Sequence, residues 1–271
     1  MNEPILFEQH GAVGLLTLNR PERLNAIDHG MLRELRDFFD GRHRDYETRV
    51  IVITGSGRGF CAGLDLKAAG EQGQWQPGAG PVQDSMTFQE DIADLMVKMR
   101  NCPQPLIAAV NGAATGGGLS IAIACDMRIG TENARFACSY LNLGLGGADV
   151  GSSYFLPRIV GPAYAADMLY SGRIVNADEA REMRLITRIV GQDELLPAAA
   201  AIGEVLIERL QAAEEDVVLR VADLRRVELV IRAACPLQCR AKRGNVVGRA
   251  RVRHAGSFRA TLVASTFACC L

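Results

Sequence analysis

The sequence predicts an α/β protein with a mostly parallel, layered sheet, and three observations support this prediction. Short runs of β-branched and apolar residues, such as Arg49–Thr54, alternate with stretches of helical periodicity. Apolar residues make up 48% of the chain and charged residues 23%, which is typical of a globular protein and excludes a disordered one. The 271 residues are enough for one or two hydrophobic cores.

Strands are predicted where β-branched and apolar residues run together, and helices where apolar residues recur every three or four positions. In residue numbers, the predicted order is a strand at 13–19, a helix at 29–42, a strand at 49–54, a loop at 70–83, a helix capped by Asp84 or Ser85, a strand at 106–110, a glycine-rich turn at 111–118, a helix at 119–125, strands at 126–129 and 135–138, and helices at 179–185 and 194–210. This alternation favours parallel pairing of the strands.

Charge divides the chain into two parts. Up to Asp216 there are 19 basic and 29 acidic residues, whereas from Val217 onward there are 11 basic and 2 acidic ones. The acidic main part argues against a nucleic-acid partner. The tail from about 217 lacks the pattern of an evolved core, so we expect an altered or out-of-frame terminus, with a basic RNA-binding tail as the alternative.

The sequence lacks the signals of several common classes of protein. There is no basic leader with an apolar run at the N-terminus, and no stretch of about 18 apolar residues, so a cytoplasmic protein without membrane contact is expected. The scattered histidines show no zinc spacing, which predicts no metal site and four surface side chains: His10, His29, His43 and His254. Eight cysteines are too few for a disulfide framework, and four are expected to be buried thiols: Cys61, Cys102, Cys125 and Cys138.

Three glycine-containing segments follow predicted strands. The first, Gly55–Gly59, lacks the residues and spacing of a nucleotide-binding loop and is interpreted as a tight turn. The other two, Phe60–Leu66 and Gly112–Gly118, carry backbone N–H groups that a ligand could approach, and the second opens a helix. Two such N–H groups directed at one carbonyl oxygen would form an oxyanion hole, and the alternative is that both segments are structural turns.

Five motifs occur in the order found in one enzyme family. They are Leu18-Asn19-Arg20-Pro21 with Leu24-Asn25-Ala26; Ile53-Thr54-Gly55 with Gly59 through Lys67; Ala109-Val110-Asn111-Gly112 with Gly116-Gly117-Gly118; Cys125-Asp126; and Leu156-Pro157-Arg158 with Gly161. With these motifs the chain resembles the crotonase (enoyl-CoA hydratase/isomerase) family from about residue 5 to about 210.

The resemblance implies a fold, a substrate class and a set of site residues. The fold is a crotonase-like spiral of β-β-α turns over residues 1–200, followed by a helical C-terminal region over 201–271, usually in a trimer or a dimer of trimers. The substrate is an acyl-CoA thioester whose carbonyl is polarised by the N–H groups of Leu64 and Gly117, and no further cofactor is implied. Coenzyme A contacts are implied for Arg23, Leu24, Ala26, Ala62, Asp65, Leu66 and Lys67.

The acid and base residues depart from the family pattern. Where hydratases of the family carry two glutamates, this sequence has Ser120 and Tyr140. Water addition needs one group that deprotonates water and one that protonates the α-carbon, and neither hydroxyl is a base near neutral pH. Asp149 remains in an Asp-Val-Gly motif like that of dienoyl-CoA isomerases. An apolar pocket would favour its protonated form and suit a proton shuttle, whereas the alternative role is the N-cap of a helix at 151–159.

Three hypotheses for function follow from these residues. The first is an enoyl-CoA hydratase/isomerase of fatty-acid metabolism, for which a one-acid isomerase that uses Asp149 is favoured over a two-carboxylate hydratase. The second is another reaction of the same enolate, such as decarboxylation or thioester hydrolysis. The third is a non-catalytic protein that binds acyl-CoA.

Overall fold

The strands of the computed structural model are divided between two sheets. The structure describes residues 3–67, 78, 80–146 and 149–213, with only the backbone of Asp149. In this part of the chain the strands are β1 (Ile5–His10), β2 (Val13–Leu18), β3 (Val50–Gly55), β4 (Gly59–Cys61), β5 (Leu106–Val110), β6 (Ala113–Thr115), β7 (Met127–Thr131), β8 (Arg135–Ala137), β9 (Val175–Asn176) and β10 (Ile189–Val190).

Helices connect the strands and cover the larger sheet. They are α1 (His29–Asp40), α2 (Pro81–Asn101), α3 (Gly117–Ala124), α4 (Ser152–Val160), α5 (Pro162–Ser171), α6 (Ala177–Glu182) and α7 (195–213). A short 3-10 turn, Asp149–Gly151, precedes α4. The described residues belong to one compact unit, Met1–Leu219.

The connectivity repeats, and the repeat produces a spiral. The larger sheet has the order β1-β2-β3-β5-β7-β10 and is parallel except for the β1–β2 pair. The smaller sheet has the order β4-β6-β8-β9 and is parallel except for β9. Each successive pair of strands (β3 with β4, β5 with β6, β7 with β8) places its first strand in the larger sheet and its second in the smaller. The predicted mixed α/β fold with β-β-α turns is therefore confirmed.

The centre of the larger sheet is buried on both faces. All six residues of β3 are buried. Ile51 and Ile53 point to the core shared with α1, α2 and α3, whereas Val50 and Val52 point to a second cluster that includes Leu195 of α7. Successive side chains of a strand point to opposite faces, so an uninterrupted apolar run is what a doubly covered strand requires.

Several predicted element boundaries are wrong. Helix α2 begins at Pro81 instead of after Asp84 or Ser85, because Gly80 is its N-cap and donates its N–H to the side chain of Gln83 at 3.1 Å. Helix α6 begins at Ala177 because the side chain of Asn176 accepts from the Glu179 N–H.

Other elements have no counterpart in the prediction. Strands β4, β6, β9 and β10 are two or three residues long, too short to show a periodic pattern. The tail from about 217 lies outside the described residues, and the boundary near residue 200 stays a prediction. Among the helices described, none has the length and apolar character needed to cross a bilayer.

Candidate functional site

Two of the sequence motifs are joined by a short backbone ladder. The segment around Arg23–Ala26 lies beside the segment Ala62–Leu66. Three backbone hydrogen bonds join them: Ala62 N–H to Leu24 O at 3.0 Å, Ile27 N–H to Gly63 O at 2.7 Å, and Asp65 N–H to Ile27 O at 2.9 Å. In this parallel bridge the N–H of Leu64 faces away from Ile27. The ladder therefore brings together the two segments predicted to contact coenzyme A. The N–H of Leu64 takes no part in these hydrogen bonds.

The backbone N–H groups of Leu64 and Gly117 lie next to each other. Gly117 is the first residue of α3, where N–H groups have no partner within the helix. A Cβ placed on Gly117 would lie 3.9 Å from the Leu64 nitrogen, and a Cβ on Gly63 would lie 3.3 Å from the Gly117 nitrogen. Within the described part of the chain, neither N–H donates to a backbone carbonyl. The two predicted donors are thus neighbours.

Two buried asparagines hold the turn that precedes this site. The Asn111 amide donates to the carbonyl oxygens of Gly55, Gly57 and Gly59, at 2.9, 3.0 and 3.2 Å. Asn25 donates to Gly59 O at 2.8 Å and accepts from the Arg20 N–H at 2.9 Å. Since the turn directs its carbonyl oxygens at these amides, its polarity is opposite to that of a phosphate loop. The interpretation of Gly55–Gly59 as a structural turn is confirmed.

A partly buried ion cluster supports the same ladder. One guanidinium nitrogen of Arg20 lies 3.0 Å from the carboxylate of Asp65 and 3.1 Å from that of Asp28. A second nitrogen donates to the Ala26 carbonyl. Asp65 is 8% exposed, so a buried charge is paired here. The side chain of Asp65, a residue predicted to contact coenzyme A, thus pairs with Arg20, for which the sequence predicted no role.

Three buried hydroxyl groups lie where the two hydratase glutamates are expected. The hydroxyl oxygens of Ser120 and Tyr140 are 2.7 Å apart, as their placement by motif predicts. Ser152, at the start of α4, completes a triangle at 2.9 Å from Tyr140 and 3.2 Å from Ser120. We call these residues the hydroxyl triad. Sequence reasoning missed Ser152, because a serine at the start of a predicted helix suggests only a cap.

The predicted shuttle Asp149 lies in the 3-10 turn before α4. Its suggested role as the N-cap of that helix is wrong, because α4 starts at Ser152 and its N-cap is Gly151, with φ of +78°. Val150 has φ of +45°, which is strained for a β-branched residue. The side chain of Asp149 lies outside what the structure describes.

Of the three histidines that the structure describes, one differs from its prediction, and His254 lies outside the described residues. His29, expected at the surface, is half-buried, and its ring lies 5.0 Å from that of Phe88. Both rings line a cavity of about 40 Å³ beside Leu64. Sequence reasoning missed this contact, because Phe88 is distant in sequence from His29.

Two further predicted site residues lie at the surface, and the described thiols lie in or near the core. Arg23 and Lys67, both predicted to contact coenzyme A, are exposed. Cys61, Cys125 and Cys138 are buried and Cys102 is half-buried, and all four are free. Burial raises the pKa of Cys61 and of Cys138 to about 12, so neither thiol near the site is a nucleophile at neutral pH.

Most of the chain is similar to one family of known proteins. The family model for enoyl-CoA hydratase/isomerase matches residues 8–222. The chain belongs to the enoyl-CoA hydratase/isomerase family. A probable enoyl-CoA hydratase of Mycobacterium leprae is 38% identical over 190 residues, which cover 70% of this chain and 64% of that protein. This chain therefore spans slightly less than two thirds of that relative's length.

Solved structures of the same family have a similar fold. A probable enoyl-CoA hydratase/isomerase from Mycobacterium abscessus is 36% identical with a TM-score of 0.68, covering 74% of each chain. A monofunctional enoyl-CoA isomerase from M. smegmatis is 34% identical with a TM-score of 0.62, covering 75% of this chain and 84% of that one. Hydratases and an isomerase thus both occur among the relatives of this enoyl-CoA hydratase/isomerase family member.

Proposed function

We propose that the protein binds an acyl-CoA thioester, forms its enolate between the N–H groups of Leu64 and Gly117, and isomerises the double bond of an enoyl-CoA. The adjacency of these two N–H groups carries the proposal. In an oxyanion hole, one donor contributes about 3–4 kcal/mol to transition-state stabilisation. No cofactor is required, because coenzyme A arrives as part of the substrate.

The hydroxyl triad supports isomerisation over hydration. A hydratase must deprotonate water, and the hydroxyls of Ser120 and Tyr140 are not bases near neutral pH. We assign the base to Asp149. In the simplest scheme its carboxylate removes a proton from the γ-carbon, the electron pair moves into the dienolate, and the same carboxylic acid returns the proton to the α-carbon. The seven residues predicted to contact coenzyme A remain part of the proposal, as do a cytoplasmic location and a trimer or hexamer.

A mass-spectrometric assay in D₂O with trans-2-hexenoyl-CoA tests the proposed reaction. We expect gain of deuterium without gain of water, since the protonated acid exchanges its proton with D₂O before it protonates the α-carbon. Gain of water would show a hydratase and contradict the argument from Ser120 and Tyr140. If neither mass change occurs while the thioester still binds, the chain is a non-catalytic acyl-CoA-binding protein or acts on another thioester.

Substitution of the proposed base separates these outcomes. Asp149→Asn should abolish deuterium exchange and retain thioester binding. The amide has the shape of the carboxyl group, but it is not a base and cannot remove the γ-proton. Asp178→Asn, an exposed aspartate in the first turn of α6, is the matched control and should behave as wild type. Unchanged turnover in Asp149→Asn would remove this residue from the mechanism.

Decarboxylation is the second candidate, and the hydroxyl triad favours it. Loss of CO₂ from a 2-carboxyacyl-CoA leaves the electron pair in the enolate, so the reaction needs an oxyanion hole and an acid but no base. The triad supplies O–H groups and no carboxylate. Malonyl-CoA in the same assay should yield acetyl-CoA if this candidate is correct, and remain intact if the isomerase is correct.

A further inference from the structure

Ser152 connects three separate parts of the fold through its hydroxyl. Ser120 lies in α3, Tyr140 follows β8, and Ser152 begins α4. The two serines are 0% exposed and Tyr140 is 4% exposed. Tyr140 is therefore the member of the hydroxyl triad with exposed surface, and the two serines contact its hydroxyl from fully buried positions.

The number of protons limits how the hydroxyl triad can be arranged. Each hydroxyl carries one proton, so three mutual hydrogen bonds use all three. If Tyr140 turns its proton toward a ligand, Ser120 and Ser152 can both donate to the phenol oxygen. That arrangement keeps the two shorter contacts, at 2.7 and 2.9 Å, and gives up only the 3.2 Å contact between the serines. The geometry thus favours two serine donors on the phenol oxygen.

Tyr140 also lies beside the proposed oxyanion hole. Its Cε1 atom is 3.9 Å from the place that a Cβ on Gly116 would occupy, and Gly116 directly precedes Gly117. The Gly116 N–H donates to Ala137 O at 3.0 Å, which fixes this loop against the strand that leads to Tyr140. An enolate held by Leu64 and Gly117 would therefore form next to the phenol.

We propose that Ser120 and Ser152 are positioning residues that hold Tyr140 as the proton donor to the α-carbon of the enolate. This rests on the proposed function in one respect, namely that an enolate forms at Leu64 and Gly117. In the isomerase, Asp149 takes the γ-proton, and Tyr140 replaces the carboxylic acid of Asp149 as the group that forms the new α-carbon–hydrogen bond. The O–H bond of Tyr140 breaks, its electron pair stays on the phenolate, and the proton on Asp149 returns to Tyr140 through solvent before the next turnover.

The role of Tyr140 as proton donor agrees with the absence of carboxylates at positions 120 and 140. A phenol is too weak a base to deprotonate water, but it is acidic enough to protonate a carbanion, whose conjugate acid is far weaker. Two O–H donors stabilise the negative oxygen left behind, as hydrogen bonds to a charged form do in general. Without Ser152, one of these two donors to the phenol oxygen is lost.

The first experiment measures the hydrogen bonds of the phenol without any substrate. Protein labelled with ¹³C at tyrosine Cζ is compared at one fixed pH in wild type, Ser152→Ala, Ser152→Thr and Ser171→Ala, with Tyr140→Phe to assign the resonance. Ser171, exposed at the end of α5, is the matched control. The N-cap of α4 is Gly151, so Ser152→Ala leaves the cap unchanged. We expect the Tyr140 resonance to move in Ser152→Ala, to return in Ser152→Thr and to stay unmoved in Ser171→Ala.

The second experiment uses the same variants with trans-2-hexenoyl-CoA. Ser152→Ala should lower kcat about tenfold with little change in KM, and Ser152→Thr should restore it. An unmoved resonance in Ser152→Ala overturns the inference whatever the activity, and a moved resonance with unchanged kcat overturns the role of Tyr140 as donor. A moved resonance in a protein that turns over no thioester supports the hydrogen bonds and overturns the proposed function, so the two failures are distinguishable.

Discussion

Asn111 and Gly55 pair through both of their hydrogen-bonding groups. The Gly55 N–H donates to Oδ1 of Asn111 at 3.3 Å, and Nδ2 of Asn111 donates to Gly55 O at 2.9 Å. The side-chain amide thus pairs with the last residue of β3 in the manner of a β-sheet, at the point where the chain turns toward β4. The position of this turn determines where the segment that contains Leu64 begins.

Removal of this side chain should destabilise the protein. Asn111→Ala leaves the carbonyl groups of Gly55 and Gly57 without their buried donor, at an expected cost of about 2–4 kcal/mol. Asn133→Ala, an exposed asparagine, is the matched control and should change the free energy of unfolding by less than about 0.5 kcal/mol. Urea denaturation measures both, and equal values for the two variants would contradict the structural role of Asn111.

Gly63→Ala should disrupt the pair of backbone donors. Gly63 has φ of +94°, and a Cβ there would lie 2.8 Å from Thr115 O and 3.3 Å from the Gly117 nitrogen. The new methyl group pushes the two segments apart, so we expect at least a tenfold loss in kcat/KM. Gly11→Ala also places alanine at positive φ, at +60°, but meets nothing within 4 Å. It should cost about 1–2 kcal/mol of stability and leave turnover unchanged, and an active Gly63→Ala enzyme would argue against the proposed oxyanion hole.

The ion cluster around Arg20 should contribute more to the free energy of unfolding than an exposed ion pair does. Arg20→Met removes the ion pair with the buried carboxylate of Asp65 and should cost about 3–5 kcal/mol. Arg100→Met breaks a pair whose side chains are 45% and 44% exposed, and should cost less than about 1 kcal/mol. Thermal or urea unfolding of the two variants provides the comparison. A small effect at Arg20 would show that solvent reaches Asp65 readily.

Stability should fall in alkaline solution because of buried thiols. Burial raises the pKa of Cys61, Cys125 and Cys138 from the ordinary value of 9.0 to about 12. Between these values the native state holds protons that the unfolded state has released, so stability is full below pH 9 and decreases as pH rises toward 12. Each thiol contributes at most about 1.4 kcal/mol per pH unit. Urea midpoints at pH 8 and 10 measure the loss, which should be smaller in Cys125→Ala, and an equal loss in that variant would contradict this assignment.

The sequence predicted the elements whose residues carry a complete local signal. The run around Val50–Gly55 is apolar throughout because both faces of β3 are covered, and the position of α1 followed from its helical spacing. The helix at Pro81 was misplaced because a glycine N-cap with a reciprocal glutamine bond gives a weaker signal than Asp84 or Ser85. Strands such as β4 and β6 were missed because they are three residues long and depend on neighbours far along the chain.

The sequence by itself determined the α/β fold, the motifs of the family and the absence of carboxylates at positions 120 and 140. Those properties depend on residue type and local spacing, which a sequence contains directly. Only the tertiary structure decided that Ser152 contacts Tyr140, that Arg20 pairs with Asp65 and that Leu64 lies beside Gly117. Each of these contacts joins segments that are distant in sequence. The packing of the two sheets determines the distance between those segments, and a local sequence pattern contains no information about that packing.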